Sequence, residues 1–171
     1  ETDPDDLPAE IRPLIINANV RYFETPEMID KLFTIYQNTP SADLQVDIAL
    51  SLTSTKNPAT AERILTAIKD ADIIRPQDAS RWFIYLIRTR ENRQIAWNWL
   101  KENWSWVKNT FGGDKSYDNF IRYAASALLT RDELNDFTKF TASLRAEPAL
   151  TRTIDLGVRE IAGRVALIER Y

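Results

Sequence analysis

Apolar residues recur along this chain at steps of three and four, and the breaks in that rhythm fall at prolines and capping residues. Asp6-Leu7-Pro8 opens a first segment that runs to about Phe23, with Pro13 breaking or delaying its first turn. Thr25-Pro26 pairs a capping side chain with proline at the first helical position, and Ile29, Leu32, Phe33 and Tyr36 follow at helical spacing. Pro40-Ser41 opens a segment with Leu44, Ile48 and Leu52 on one face. Asn57-Pro58 repeats the cap-then-proline pattern ahead of Ala61, Ile64, Leu65 and Ile68, and Pro76 opens a segment carrying Trp82, Phe83, Leu86 and Ile87.

The second half is more regular. Trp97, Leu100, Trp104, Val107 and Phe111 draw an apolar seam along one predicted helix that Gly112-Gly113 ends. Ser116 is the expected cap of a helix with Phe120, Tyr123, Ala124 and Ala127 inward. Thr130-Arg131-Asp132-Glu133 has the form of a capping box, in which the Thr hydroxyl and Glu carboxylate satisfy each other's free backbone N–H groups. Pro148 starts a last helix bearing Ile154, Val158, Ile161, Val165 and Ile168. No segment sustains a period of two, so the expected class is all-α, with about 8–10 helices. Alternate helices begin near residues 8, 41, 76 and 116, an interval of about one helix pair. That spacing points to an α-solenoid of antiparallel pairs, each burying its apolar face on the next. A compact helical bundle is the competing architecture.

At 171 residues the chain has the length of one domain. Its 22 basic and 25 acidic residues give a net charge of −3, which argues against a nucleic-acid partner. No window approaches the roughly 18 apolar residues of a membrane span, and no signal peptide is visible. There is no His and no Cys, which removes imidazole- and thiol-based catalysis, the usual zinc ligands and disulfides. The four glycines form neither a dinucleotide fingerprint nor a phosphate loop. The residues alone show no reaction centre. The chain begins at Glu1 and its only Met is Met28, which reads as a fragment whose chemistry lies in another part.

Four features are candidate carriers of chemistry. Four of the five Trp fall within Trp97–Trp106, and their helical spacing reads as core rather than as a stacking platform for bases. Arg75, Arg81, Arg88, Arg90 and Arg93 crowd one region opposed by Asp78 and Glu91 alone. Arg81 and Arg88 share a helix face, which either holds a carboxylate or is a solvated, salt-bridged surface. Asp132, Glu133 and Asp136 read as first-turn residues that complement the helix dipole, not as catalytic carboxylates. Asn103-Trp104-Ser105 matches the glycosylation sequon inside a predicted helix and reads as a chance match.

The run Ala96-Trp97-Asn98-Trp99-Leu100-Lys101-Glu102-Asn103-Trp104 resembles the Ala-Trp-x-Phe/Leu-Leu-Lys-x-Asn-Trp signature in the C-terminal helical domain of the M1 zinc aminopeptidases, of the bacterial aminopeptidase N type. Its structural signature positions here are Ala96, Trp97, Leu100, Asn103 and Trp104. Ala49-Leu50-Ser51-Leu52-Thr53, Ile74-Arg75-Pro76-Gln77-Asp78, Phe120-Ile121-Arg122, Leu134-Asn135-Asp136-Phe137 and Arg152-Thr153-Ile154 are similar to further elements of that domain, in the same order. Thr89-Arg90-Glu91-Asn92-Arg93 departs from the family's frequent Asn-Pro-x-Gly, which puts the turn geometry there in question.

The resemblance implies that residues 1–171 are one helical-repeat domain, the later part of the C-terminal domain of a larger enzyme. That domain is a HEAT-like superhelix which supplies a cavity wall and a domain interface and restricts substrate access. The parent would remove N-terminal residues from peptides, with zinc held in a catalytic domain outside this chain. No catalytic residue, metal ligand or cofactor is assigned to this chain. The implied partners are the parent's own catalytic domain and the peptide substrate, without nucleic acid or membrane, and the expected location is the cytoplasm. The candidate peptide-facing residues are Arg81 and Arg88. The alternative is a free-standing α-solenoid that binds a protein or peptide.

Overall fold

The computed structural model of the chain describes residues 4–170, so the two ends of the expected domain, Glu1 to Asp3 and Tyr171, lie outside the described residues. Among those residues it is all-α, without a strand. The ten α-helices are α1 (Arg12–Phe23), α2 (Pro26–Asn38), α3 (Ala42–Leu52), α4 (Pro58–Ala67), α5 (Pro76–Arg88), α6 (Arg93–Glu102), α7 (Trp104–Phe111), α8 (Asp118–Ala127), α9 (Arg131–Thr141) and α10 (Pro148–Ile168). Short 3₁₀ turns occupy Pro4–Asp6 and Ser143–Ala146. The chain divides into two compact units, Glu1–Ala96 and Trp97–Tyr171.

The first unit is organised around α3. Ser41 caps it, its Oγ accepting from the Leu44 N–H at 3.2 Å, and Leu44, Ile48 and Leu52 are wholly buried. α1, α2 and α5 all pack against α3, and α4 packs against α5. Thr25 and Asn57 cap α2 and α4 through side-chain oxygens, with Pro26 and Pro58 at the first helical positions. The first segment opens later than its apolar run suggests. α1 begins at Arg12, after a turn in which the Arg12 N–H donates to the Pro8 carbonyl at 2.9 Å, and Pro13 falls in its first turn, where no backbone donor is needed.

At one end of this unit three connections are joined by a polar lattice. Glu24, between α1 and α2, accepts from Thr55 Oγ1 and Thr60 Oγ1 at 2.5 Å each and from Asn57 Nδ2 at 3.1 Å. Arg21 donates to the Ser54 carbonyl at 3.1 Å and to Glu91 at 2.8 Å. From the α5–α6 connection, Asn92 Nδ2 donates to the Thr55 carbonyl at 2.8 Å and Thr89 Oγ1 donates to the Thr53 carbonyl at 3.0 Å. Thr89 and Asn92 lie in the stretch that departs from the family pattern. Their side chains tie the connection down without proline or glycine.

In the second unit α10 packs along α8, α9 and the Ser143–Ala146 turn. Its close approach to α8 and α9 is at Gly157, which is buried. Arg164 donates through Nε to the Leu128 carbonyl at 3.1 Å and through Nη2 to the Ala125 carbonyl, so a cation sits at the carbonyl-rich end of α8. The capping box forms as its sequence predicts: Thr130 Oγ1 accepts from the Glu133 N–H at 3.2 Å, and Glu133 Oε2 accepts from the Thr130 N–H at 2.8 Å.

Three local expectations are corrected. The Trp97–Phe111 seam is buried throughout, but it is carried by two helices, α6 and α7, separated at Asn103 (φ −108°, ψ 18°). The Asn103 amide donates to the Trp99 carbonyl at 2.9 Å, a local side-chain bond of the kind that competes with helix continuation. Ser116 caps nothing; its hydroxyl donates to Asp114 at 2.7 Å, and α8 starts at Asp118 behind Tyr117. Gly112-Gly113 does follow the end of α7, but neither glycine takes a positive φ. Lys115 does, at 62°.

Candidate functional site

The Arg-rich stretch leads into a pocket of about 230 Å³ formed by the end of α2, the start of α3 and the start of α5. Its floor follows from the α5 seam. Trp82 is wholly buried, lies parallel to Phe33 with ring centroids 5.9 Å apart, and meets Tyr36 edge-on at 5.0 Å. Its indole Nε1 donates to the Tyr36 hydroxyl oxygen at 3.2 Å. Burial pushes the Tyr36 phenol above its ordinary value, against the opposing effect of that hydrogen bond.

One wall is set by the α2–α3 turn. Gln45, in the first turns of α3, donates through Nε2 to the Tyr36 carbonyl at 3.1 Å and accepts through Oε1 from Arg75 Nη2 at 3.1 Å. Arg75, at the N-cap of α5, also donates through Nε to Asp78 Oδ2 at 3.1 Å. Two acceptors therefore fix the Arg75 fork. Arg81 differs. Its Nη1 stands 3.8 Å from Asp78 Oδ1, close enough to attract but too far to hydrogen-bond, and its side chain is 46% exposed. The pocket thus presents a guanidinium with donors to spare above an aromatic floor. Asp43 and Asp78 in the lining balance the two arginines.

This arrangement can bind; nothing in it is set up to react. It holds no nucleophile beside a base. Among the described residues no group of three or more Asp or Glu stands close enough to hold a metal ion. Of the two arginines singled out from sequence, Arg81 lines the pocket with Arg75; Arg88 lies further along α5, exposed, and does not. Tyr36 and Gln45 were missed as site residues. Tyr36 reads as one more seam residue, and nothing local distinguishes a glutamine that closes a turn.

The Ala96–Trp104 run plays a packing part. Ala96, Trp97 and Leu100 are wholly buried and Trp104 nearly so. Trp97 stacks on Phe137 at 5.8 Å and meets Phe140 edge-on at 5.4 Å; Trp104 meets Tyr117 and Phe140 edge-on at 6.1 Å. Asp136 is a correction. Unlike Glu133 it caps no helix end, because it lies beyond the first turn of α9 and faces inward to accept from Trp97 Nε1 at 2.7 Å and Lys101 Nζ at 2.5 Å. Burial raises its pKa, yet the bonds from Lys101 and Trp97 outweigh it and hold the carboxyl below its usual value.

Residues 1–162 match the family model described as the ERAP1-like C-terminal domain. Over 169 residues the chain is 34% identical to aminopeptidase N of Lactobacillus helveticus, covering 99% of this chain and 20% of that protein. It is 29% identical over 163 residues to aminopeptidase N of Lactobacillus delbrueckii subsp. lactis, covering 95% and 19%. Against aminopeptidase M1 of Arabidopsis thaliana the identity is 26% over 134 residues, covering 77% and 15%. The chain spans about a fifth of the length of the bacterial relatives.

Proposed function

The chain belongs to the family of ERAP1-like C-terminal domains, and from that premise we propose that it is the non-catalytic helical end of an M1-type zinc aminopeptidase that removes N-terminal residues from peptides. The observation that carries the reading is the family match over residues 1–162 in a chain that aligns with a fifth of aminopeptidase N. The zinc belongs to a catalytic domain elsewhere in the polypeptide. This chain has neither His nor Cys, the usual zinc ligands, and among its described residues no three carboxylates stand close enough to hold a metal ion. Its part is to wall a cavity, to stack in HEAT-like fashion against the rest of the enzyme and to limit which peptides enter. The partners in this reading are the catalytic domain and the peptide, and the compartment is the cytoplasm.

Arg81 and Arg88 face the peptide and draw its carboxyl end, Arg81 from the rim of the Tyr36–Trp82 pocket. The test is Arg81→Glu in the full-length enzyme. KM should rise several-fold for longer peptides and stay within about twofold for a single-residue chromogenic substrate. An equal effect on both substrates would leave Arg81 as a solvated surface residue. A start codon immediately before Glu1, with no His-Glu-x-x-His upstream in frame, would defeat the parent reading and favour a free-standing peptide-binding solenoid.

A further inference from the structure

We propose that the pocket between α2, α3 and α5 binds a free α-amino acid in its zwitterionic form, with Arg81 holding the carboxylate and Asp43 the ammonium. The site itself rests on the charges of the pocket. That its ligand is the parent enzyme's own product rests on the aminopeptidase reading above.

Most polar groups of the lining are already partnered. Gln45 spans the Tyr36 carbonyl and Arg75, each at 3.1 Å. Arg75 Nε donates to Asp78 Oδ2 at 3.1 Å, and the other oxygen of Asp78 faces Arg81 at 3.8 Å. The Tyr36 hydroxyl oxygen accepts from Trp82. What remains is one group of each sign. Arg81 makes no hydrogen bond among the described residues. Asp43, exposed in the first turn of α3, makes neither a hydrogen bond nor an ion pair among them. Both line the same pocket.

That remainder selects a ligand. Arg75 and Arg81 are matched in number by Asp43 and Asp78, so the lining carries no net charge and has no preference for a dianion such as phosphate. A free amino acid carries both signs on neighbouring atoms and has no net charge either. Its carboxylate can accept two parallel bonds from the Arg81 fork, and its ammonium has Asp43 as a counter-ion. A volume of about 230 Å³ lies below the usual range of about 300–1,000 Å³ for drug-sized ligands, so the occupant is one residue and not a stretch of chain. Ala42, Val46, Ala49 and Trp82 supply the apolar part of the lining, which favours an aliphatic side chain. The last residue of a peptide offers the same carboxylate, but its nitrogen is a neutral amide that gains no ion pair from Asp43. Both ligands claim Arg81. The released amino acid therefore displaces a peptide's carboxyl end as it accumulates.

The probe is L-leucine, titrated into the full-length protein while the indole N–H resonance of Trp82, assigned by its loss in Trp82→Phe, is followed. Two ion pairs open to solvent imply weak binding, with saturation at a dissociation constant of about 1–10 mM. No saturable shift up to about 50 mM overturns the proposal. N-acetyl-L-leucine lacks the ammonium and L-leucinamide lacks the carboxylate; each should bind the unaltered protein at least about threefold more weakly, since one such pair is worth up to about fivefold. Asp43→Asn should weaken L-leucine by the same factor and leave N-acetyl-L-leucine unchanged. N-acetyl-L-leucine binding as tightly as L-leucine overturns the proposal and leaves the peptide-facing role of Arg81 standing. Binding that needs both charges, in an enzyme whose KM for longer peptides is indifferent to Arg81→Glu, supports the amino-acid site and defeats the peptide-facing role alone.

Discussion

Replacing Gly157 by alanine tests how α10 is seated against α8 and α9. A β-carbon built there would stand 2.8 Å from Ala125 Cβ on α8 and 3.0 Å from Phe137 Cζ on α9. Carbon atoms prefer about 3.5–4.0 Å, so both contacts are too short by roughly 0.5–1 Å. The Phe137 ring cannot simply retreat, because it is stacked on Trp97, whose indole is tied to Asp136. Overpacking of this kind costs about 1–3 kcal/mol. Against it stands the gain of about 1 kcal/mol for alanine over glycine inside a helix. Gly163, on the same helix, is exposed with nothing within 4 Å of its notional β-carbon, so Gly163→Ala takes the gain alone. The expected result is that Gly163→Ala stabilises by about 0.5–1 kcal/mol while Gly157→Ala destabilises by up to about 2 kcal/mol. Urea unfolding followed by far-ultraviolet circular dichroism measures both. If Gly157→Ala stabilises as much as Gly163→Ala, α10 is not seated against α8 and α9 as described.

Trp104→Ala should cost roughly 3–5 kcal/mol of stability, since it empties a large, nearly buried aromatic site; a loss below about 1 kcal/mol in the same unfolding assay would refute the seam. The depressed Asp136 carboxyl contributes stability that is present above the ordinary aspartate value, about 3.9, and is lost as pH falls through its lower folded value. Wild type should therefore exceed Asp136→Asn by up to about 1 kcal/mol near pH 6 and lose that margin progressively as the pH falls below the ordinary aspartate value, the modest size reflecting a side chain 39% exposed; a margin unchanged with pH would refute the ion pair. Glu24→Ala removes the acceptor of two buried hydroxyls, Thr55 and Thr60, and should cost about 1–3 kcal/mol, with Glu24→Gln recovering part; equal losses in the two variants would show that the acceptor is immaterial.

Helix starts were legible wherever a cap acts on its own backbone. Thr25, Ser41, Asn57 and Thr130 bond to N–H groups two or three residues away, so sequence spacing holds the whole interaction. Seams were legible for the same reason, since burial follows the helical period. What escaped was decided by competition or by distance along the chain. Ser116 turned its hydroxyl to the Asp114 carboxylate and away from the α8 N–H groups it would have capped, and Asn103 turned its amide back on the Trp99 carbonyl. Asp136 had the right residue type for a cap, but its partners lie 35 and 39 residues upstream. The pocket needed α2, α3 and α5 together, so sequence exposed its arginines and left Tyr36 and Gln45 unmarked.

The lattice joining the first unit's connections is lopsided in a way that bears on how such a domain can drift in sequence. Its receiving groups between α3 and α4 include the main-chain carbonyls of Thr53, Ser54 and Thr55, which every amino acid supplies. The reaching groups are the side chains of Arg21, Thr89 and Asn92, which few residues can replace. Substitution at Ser54 therefore leaves the Arg21 bond available, whereas substitution at Arg21 or Asn92 strands a carbonyl. A mutational scan of this end should find intolerance at the distant donors, so that a short turn is held in shape by residues more than thirty positions away.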